Sequence, residues 1–256
     1  MGHRIAILQR DIVWQDIEAN LKAIEHEVEG LDVDTVVLSE MFTTGFATDP
    51  RDVAEQEGGA TLEWMKSLAH RLDAAVVGSV AVRVGDEYRN RMYFVKPSDE
   101  VEYYDKHHLF TIGEEGRFFT AGQSRCVVQW RGVRFLLQVC FDLRFPVWSR
   151  QRGDYDAIIY SALWPTPRRD VWQLLLRARA VENQAYVIGV NRTGNEPTLN
   201  YSGDSAVVDP YGGEQVKLDD KPGVGVAELN MDALVRFREK FNVGREADMF
   251  QIIEEC

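Results

Sequence analysis

The sequence is poor in cysteine, and its three cysteines, Cys126, Cys140 and Cys256, stand far apart in 256 residues. This spacing provides neither a disulfide framework nor the paired ligands of a zinc site, so we expect free thiols and no bound metal. Basic residues are also few, with 29 Lys and Arg against 41 Asp and Glu, which gives a formal net charge of −12. A nucleic-acid-binding protein should carry a basic surface, so no nucleic-acid partner is expected.

Long apolar runs are missing as well, since no stretch approaches the roughly 18 apolar residues that a membrane-crossing helix needs. The first residues lack the pattern of a signal peptide, and Ala6 does not fit a myristoylation motif. We therefore expect a cytoplasmic protein with no membrane partner. Linkers rich in Ser or Pro are absent too, which predicts one domain over residues 1–256, with 242–256 as a C-terminal tail.

What the sequence does contain is an alternation of short apolar runs and amphipathic segments. Strands are predicted at residues 3–9, 35–39, 74–84, 92–95, 101–105, 126–130, 133–139, 157–160, 186–190, 205–208 and 224–229. Helices are predicted at 20–28, 62–72, 171–184 and 231–241. Because hairpins occur between the strand–helix units, the pattern predicts an α/β protein with mixed rather than purely parallel sheets.

Three of the predicted strands end on residues that can do chemistry. The buried strand 133–139 ends at Cys140, and Pro146 suits the first turn of a following helix. Such a corner presents its side chain at the edge of a sheet and leaves the next backbone N–H groups free to bind an anion. A buried structural thiol is the more common role for a free cysteine. However, two other predicted strands lead into Glu40 and Lys106, so a carboxylate, an amine and a thiol stand at similar positions.

Three segments around these residues resemble the catalytic motifs of the nitrilase superfamily of carbon–nitrogen hydrolases. They are 38–42 (Leu-Ser-Glu-Met-Phe), 104–110 (Tyr-Asp-Lys-His-His-Leu-Phe) and 139–146 (Val-Cys-Phe-Asp-Leu-Arg-Phe-Pro), in the order and at the approximate spacing of that family. More narrowly, the chain resembles the omega-amidase branch, and the likeness extends to about residue 213. The resemblance implies an α-β-β-α sandwich, in which two mixed sheets lie face to face with helices outside.

The resemblance also implies an amidase that works through a cysteine thioester and needs no cofactor. Amide hydrolysis requires a nucleophile, a proton shuttle and a donor for the developing oxyanion. Cys140 would be the nucleophile and Glu40 the general base. Lys106 and the backbone N–H of Phe141 would hold the oxyanion.

Neighbours of Lys106 leave two alternatives open. Glu115 matches the family's second glutamate, which would orient Lys106 and the substrate, but Glu114 fits the same role if the register shifts by one residue. His107 or His108 would form a Cys–His dyad if its ring reached the thiol and a third group oriented it. Because Lys106 and the general base already serve those tasks, we assign both histidines to packing or supporting roles.

A small apolar pocket is expected beside the nucleophile. Its walls are predicted to come from Phe42 and Phe46, in the loop after the general base, and from Trp164. The omega-amidase branch is similar to this chain in residues 143–146 and around Trp164, and its members act on 2-oxoglutaramate and 2-oxosuccinamate. The resemblance therefore implies a small-molecule amide of this kind as substrate.

A substrate carboxylate in such a pocket needs a cationic partner, because an unpaired charge there is costly. Arg144 is the first candidate, and Arg168 and Arg192 are alternatives. Two departures from the family pattern affect the polarity of the pocket. Ser39 stands where proline often precedes the glutamate, and Phe141 stands where tyrosine often follows the cysteine.

Other activities share the same three catalytic residues, so a nitrilase, a carbamoylase, another amidase or an acyl transferase remains an alternative. An inactive interaction module on the same fold is a further alternative, although the intact Glu40, Lys106 and Cys140 argue against it. The resemblance also implies subunit pairing near the helix that follows the nucleophile, which carries Val147 and Trp148. We therefore expect a homodimer, the oligomer with the commonest symmetry.

Overall fold

The computed structural model of the protein describes residues 2–196 and 199–252. Its strands are β1 (Gly2–Gln9), β2 (Thr35–Val37), β3 (Glu55–Gln56), β4 (Ala75–Val84), β5 (Glu87–Val95), β6 (Val101–Asp105), β7 (Val127–Trp130), β8 (Val133–Val139), β9 (Ala157–Ser161), β10 (Tyr186–Val190), β11 (Thr193–Asn195), β12 (Asn200–Ser202), β13 (Ala206–Val208), β14 (Glu214–Lys217) and β15 (Gly223–Asn230). Its α-helices are α1 (Ile17–Val28), α2 (Ala60–Leu72), α3 (Pro146–Ser149), α4 (Arg169–Asn183) and α5 (Met231–Lys240).

Most of the strands form two mixed sheets. The first sheet has the order β15-β1-β2-β4-β5-β6, and β3 adds to β4. Its β1, β2 and β4 are parallel, whereas the β4–β5 and β5–β6 pairs are antiparallel. The second sheet has the order β14-β13-β10-β9-β8-β7, with β8, β9 and β10 parallel. Hairpins thus extend a parallel centre in both sheets, as the sequence predicts.

The two sheets pack face to face, and the alternation of side chains along β1 shows how the layers arise. Ile5 and Ile7 belong to the apolar core that joins the sheets, while Ala6 and Leu8 pack into an outer layer. That outer layer includes Ile24 of α1 and residues of α2. On the other side, α4 covers the second sheet through Trp172, Leu176 and Ala180. The α-β-β-α sandwich implied by the family resemblance is confirmed.

The predicted elements differ from the structure in three places. Strand β5 begins at Glu87 rather than at residue 92, because its first residues are polar but still pair with β4. The short strands β3, β11, β12 and β14 were not predicted, since two to four residues carry too little pattern. Residues 111–118 lie mostly at the surface, as predicted, but they form two 3₁₀ turns around the fully buried Glu115. Among the described residues, no helix is long and apolar enough to cross a membrane.

Candidate active site

Cys140 lies at a sharp corner between β8 and a 3₁₀ turn, Cys140–Arg144, which leads into α3. Its backbone has a φ of +43°, a conformation that residues other than glycine rarely adopt and that recurs at functional corners. The carboxylate of Asp142 fixes this corner by accepting a hydrogen bond from Val139 N at 2.9 Å. The first N–H groups of a helical turn, here including that of Phe141, have no acceptor within the turn. The predicted strand-to-helix corner is confirmed.

The ends of three strands bring Cys140, Glu40 and Lys106 to one cavity. Glu40 lies in the turn after β2, and Lys106 directly follows β6. Lys106 Nζ lies 2.8 Å from Glu40 Oε1, and each of these two side chains is 1% exposed. Long-range strand pairing therefore brings together residues that are separated by 66 positions in the chain.

Glu115, rather than Glu114, faces the lysine. Both Glu115 oxygens lie close to Lys106 Nζ, at 3.1 and 2.9 Å, and Oε2 also accepts a hydrogen bond from Phe110 N at 2.6 Å. Glu114 is exposed and pairs with Arg117 at 2.7 Å. The left-handed backbone of Glu114 separates the two 3₁₀ turns and directs the next carboxylate inward. The geometry thus resolves the register that the sequence left open.

Asn90, which the sequence analysis did not identify, joins the two buried carboxylates. Its Nδ2 donates to Glu40 Oε1 at 2.8 Å and to Glu115 Oε1 at 3.2 Å. The other oxygen of Glu40 accepts a hydrogen bond from Leu163 N at 2.9 Å. Asn is uncommon inside strands, so its position in the middle of β5 was the available signal. The result is a network in which both Glu40 oxygens have fixed donors.

Burial and charge determine the protonation of this cluster. Burial by itself lowers the pKa of Lys106, but the negative charges of Glu115 and Glu40 outweigh it and raise that pKa above its ordinary value. Burial raises the pKa of the Cys140 thiol well above its ordinary value; the charge of Glu40 raises it further, and Lys106 opposes the change. The resting site therefore holds an ammonium and a neutral thiol, whose Sγ lies 3.8 Å from Leu163 O.

The two histidines beside Lys106 support the corner from behind. His108 Nδ1 lies 2.8 Å from Asp142 Oδ1, and the ring of His107 stacks on Trp148 at 3.7 Å between centroids. Tyr104 links both contacts, because its hydroxyl donates to Asp142 Oδ2 and accepts from Trp148 Nε1. Neither histidine lines the cavity that contains the thiol. These contacts agree with packing and supporting roles and provide no Cys–His dyad.

The cavity above Cys140 has a volume of about 140 Å³. Phe46 and Trp164 line it as predicted. Phe42 does not: it is buried in the outer layer against Trp64, with ring centroids 6.0 Å apart, so its assignment to the pocket was wrong. The backbone turns at Met41 (φ +40°) and Phe42 packs toward the helices. Further lining residues missed by the sequence analysis are Thr48, Phe110, Gly113, Leu163, Pro165, Leu199 and Tyr201.

Two of the three predicted arginines reach the cavity. Arg144 lies with Cζ 5.1 Å from the ring centre of Trp164, and Arg168 lies 5.2 Å from that of Phe110. Arg192 is fully buried elsewhere and pairs with Asp11 at 2.9 Å and with Glu196, so its candidacy is wrong. Its charge is already neutralised by carboxylates of the protein.

Cys126, the other described thiol, lies outside this cluster. Burial, with a smaller effect of Glu102, raises the pKa of Cys126 to about 12, so this thiol is a poor nucleophile. Cys256 lies outside the described residues. Within residues 2–196 and 199–252, no group of three or more His, Cys, Asp or Glu side chains is arranged to hold a metal ion.

Comparison with known proteins places this architecture in a family. The sequence model of the carbon-nitrogen hydrolase family matches residues 4–239. Omega-amidase YafV from Escherichia coli K12 is 43% identical over 98% of this chain and 99% of its own. The 2-oxoglutaramate amidase from Bacillus subtilis is 34% identical over 95% of this chain and 96% of its own. A solved CN-hydrolase superfamily protein from Xanthomonas campestris, with an arsenic adduct in its active site, has a TM-score of 0.96 at 38% identity and covers 98% and 99% of the two chains. The chain belongs to the carbon-nitrogen hydrolase family, within the nitrilase superfamily.

Proposed function

We propose that the protein is an omega-amidase. It hydrolyses the terminal amide of 2-oxoglutaramate or 2-oxosuccinamate to the 2-oxo dicarboxylate and ammonia. One observation carries the proposal: Cys140 and Lys106 line a small cavity together with two arginines, and neither arginine has a carboxylate partner among the described residues. The similarity to omega-amidase YafV from Escherichia coli and to the 2-oxoglutaramate amidase from Bacillus subtilis supports the same assignment.

In the first half of the reaction, Glu40 removes the proton of the Cys140 thiol as sulfur attacks the amide carbonyl carbon. The carbonyl oxygen becomes negative and is stabilised by the ammonium of Lys106 and the N–H of Phe141. The C–N bond then breaks, and Glu40 returns the proton to the nitrogen, which leaves as ammonia. Cys140 is left as a thioester. The high pKa of the resting thiol supports a proton transfer coupled to attack rather than a preformed thiolate.

In the second half, water replaces ammonia. Glu40 accepts a proton from the attacking water, the oxyanion forms again beside Lys106, and the C–S bond breaks. The product is a carboxylate, and the thiol of Cys140 regains its proton. Lys106 keeps its charge throughout, because two carboxylates hold its pKa high. The protein's own residues supply each group that these reaction steps require, so the proposal includes no cofactor.

The size and charge of the cavity support a short anionic amide as substrate. About 140 Å³ corresponds to the volume of roughly five water molecules, which suits a chain of four or five carbons. Phe46 and Trp164 supply apolar walls, and Arg144 supplies a cation fixed against the Trp164 ring. We assign Arg144 to the substrate carboxylate, because guanidinium and carboxylate groups pair through two parallel hydrogen bonds.

Ammonia release from a panel of amides tests the proposal. We expect kcat/KM for the two 2-oxo amides to exceed that for a neutral amide of equal length by more than about tenfold, since a hydrogen bond to a charged group is worth roughly 1.5–3 kcal/mol. Arg144→Leu should remove this preference and spare hydrolysis of the neutral amide. Arg152→Leu, at an exposed arginine against Phe250, is the matched control. Equal rates on both amide classes, or a preference for a nitrile, would contradict the proposal.

We also propose that the chain forms one cytoplasmic domain over 1–256, with a tail at 242–256, and assembles as a homodimer. Val147 in α3 is 53% exposed and supports an interface there, whereas Trp148 is buried against His107 and is not available for one. Free Cys126 and Cys140 suit a reducing compartment. Light scattering at micromolar concentration should give a dimer mass, and a monomer mass would contradict this assembly.

A further inference from the structure

The cavity contains one more cation than the proposed substrate carboxylate requires. Arg144 and Arg168 both line it and flank Trp164. Arg144 lies over the indole, and the indole Nε1 donates to the backbone oxygen of Arg168 at 2.8 Å. The side chain of Arg168 in turn lies over Phe110, 5.2 Å from its ring centre. Both guanidinium groups therefore lie over aromatic rings that line the cavity.

In the described part of the chain, neither Arg144 nor Arg168 forms an ion pair with a carboxylate. The contrast with the next residue is direct, because Arg169 binds both oxygens of Asp204 at 2.7 and 2.8 Å. A single substrate carboxylate can accept two parallel hydrogen bonds from one guanidinium group. The second guanidinium then faces the neighbouring atoms of the substrate with several hydrogen-bond donors still unused.

Acidic side chains, which would pair with a positively charged substituent, are scarce in the same cavity. Glu40 is the one acidic side chain among the described residues that line it. Both oxygens of Glu40 already accept hydrogen bonds, Oε1 from Lys106 and Oε2 from Leu163 N. The hydroxyl of Tyr201, another lining residue, donates to Glu196. An ammonium group entering this space would meet cations and occupied acceptors.

We propose that Arg168 selects the substituent on the carbon next to the substrate carboxylate, favouring a 2-oxo group over a 2-amino group. This inference rests on the proposed function and extends it. The 2-oxo oxygen accepts a hydrogen bond from the Arg168 guanidinium while Arg144 holds the carboxylate. A 2-ammonium group has only donors and carries a like charge, so it is repelled. Arg168 thereby discriminates 2-oxo amides from asparagine and glutamine, which have the same length and the same terminal amide.

Three amides that differ only at this carbon test the inference: 2-oxosuccinamate, succinamate and asparagine. Arg168→Gln should lower the ratio of kcat/KM for 2-oxosuccinamate over asparagine by about tenfold or more, the effect expected when a hydrogen bond to a charged group and a like-charge repulsion are both removed. Succinamate, which has no substituent there, should change by less than about threefold on the same argument. Arg168→Lys keeps the charge, so it should retain the rejection of asparagine.

Arg169→Gln is the matched control, because it makes the same change at the adjacent residue, whose side chain points to Asp204. It should leave the 2-oxo to amino ratio unchanged. An unchanged ratio of kcat/KM for 2-oxosuccinamate over asparagine in Arg168→Gln would overturn the inference. An equal loss of kcat/KM on succinamate and 2-oxosuccinamate would also overturn it, because Arg168 would then bind only the carboxylate. The proposed function itself would be contradicted if the wild-type enzyme hydrolysed neither 2-oxosuccinamate nor succinamate better than a neutral amide.

Discussion

Lys106 Nζ lies within 3.1 Å of both carboxylate oxygens of Glu115. This contact adds to the ion pair between Lys106 and Glu40 at 2.8 Å and leaves the ammonium between two buried carboxylates. A lysine in such a position stays protonated, and the two carboxylates fix the orientation of its ammonium group. Lys106 is thus suited to stabilise charge rather than to accept a proton.

Replacing this ammonium should slow the reaction, and circular dichroism shows whether the variant is folded. We expect Lys106→Ala to lower kcat by at least about 10²–10³-fold, the usual cost of losing one oxyanion donor. Lys96→Ala is the matched control, because Lys96 is also mostly buried and pairs with two carboxylates, Glu100 and Glu102, away from the cavity. A nearly unchanged kcat in Lys106→Ala, together with loss of activity in His107→Ala or His108→Ala, would favour the Cys–His alternative.

Glu40→Gln should slow amide hydrolysis but make the Cys140 thiol more reactive toward alkylation. Burial first and the negative charge of Glu40 second raise the pKa of Cys140, so removing that charge lowers the pKa and increases the thiolate fraction at any given pH. Amide hydrolysis should be strongly reduced, because the proton shuttle is gone. Alkylation of Cys140 by iodoacetamide should nevertheless become faster below the alkaline range.

Peptide mass spectrometry across a pH series measures this alkylation at each cysteine. Cys126 serves as the internal control, because its raised pKa of about 12 arises from burial and Glu102 and should not respond to Glu40→Gln. Slower alkylation of Cys140 in the variant at every pH would show that Glu40 already holds the thiol proton in the resting enzyme. The coupled proton transfer proposed above would then be incorrect.

Asn90 should act on kcat through the carboxylates that it orients. Asn90→Ala removes donors to Glu40 and Glu115, and we expect kcat to fall by about tenfold or more with little change in KM, since each lost bond is to a charged group. Asn183→Ala is a suitable control: Asn183 is also buried, and it bonds Arg179 O and Gln151 N outside the cavity. A KM increase without a kcat effect would assign Asn90 to substrate binding instead.

The family resemblance implies the sandwich, and the sequence indicates that Glu40, Lys106 and Cys140 converge, because each residue follows a recognisable strand within a family motif. It does not reveal Asn90, whose contact with Glu40 depends on strand register across 50 residues. It also places Phe42 wrongly, because the chain turns at Met41 after β2 and the position of Phe42 in this loop does not give the direction of its side chain.

The wall of the cavity was hardest to predict. Leu199 and Tyr201 belong to the segment that returns through β12, about sixty residues after the nucleophile, and no local pattern links them to Cys140. Arg168 and Arg192 were equivalent candidates in the sequence. Only their partners separate them, since Arg192 pairs with Asp11 and Glu196 while Arg168 rests on Phe110 inside the cavity.

The proposed mechanism depends most on Cys140 as the nucleophile, and ammonia release by Cys140→Ala tests that role directly. The measurement compares kcat on 2-oxosuccinamate for Cys140→Ala and for Cys126→Ala, after circular dichroism confirms that both variants are folded. We expect Cys126→Ala to remain active and Cys140→Ala to lose activity by roughly 10³-fold or more, because Cys140 carries the only thiol among the described side chains that line the cavity. Ammonia release by Cys140→Ala at about a tenth of the parent rate or more would contradict the account.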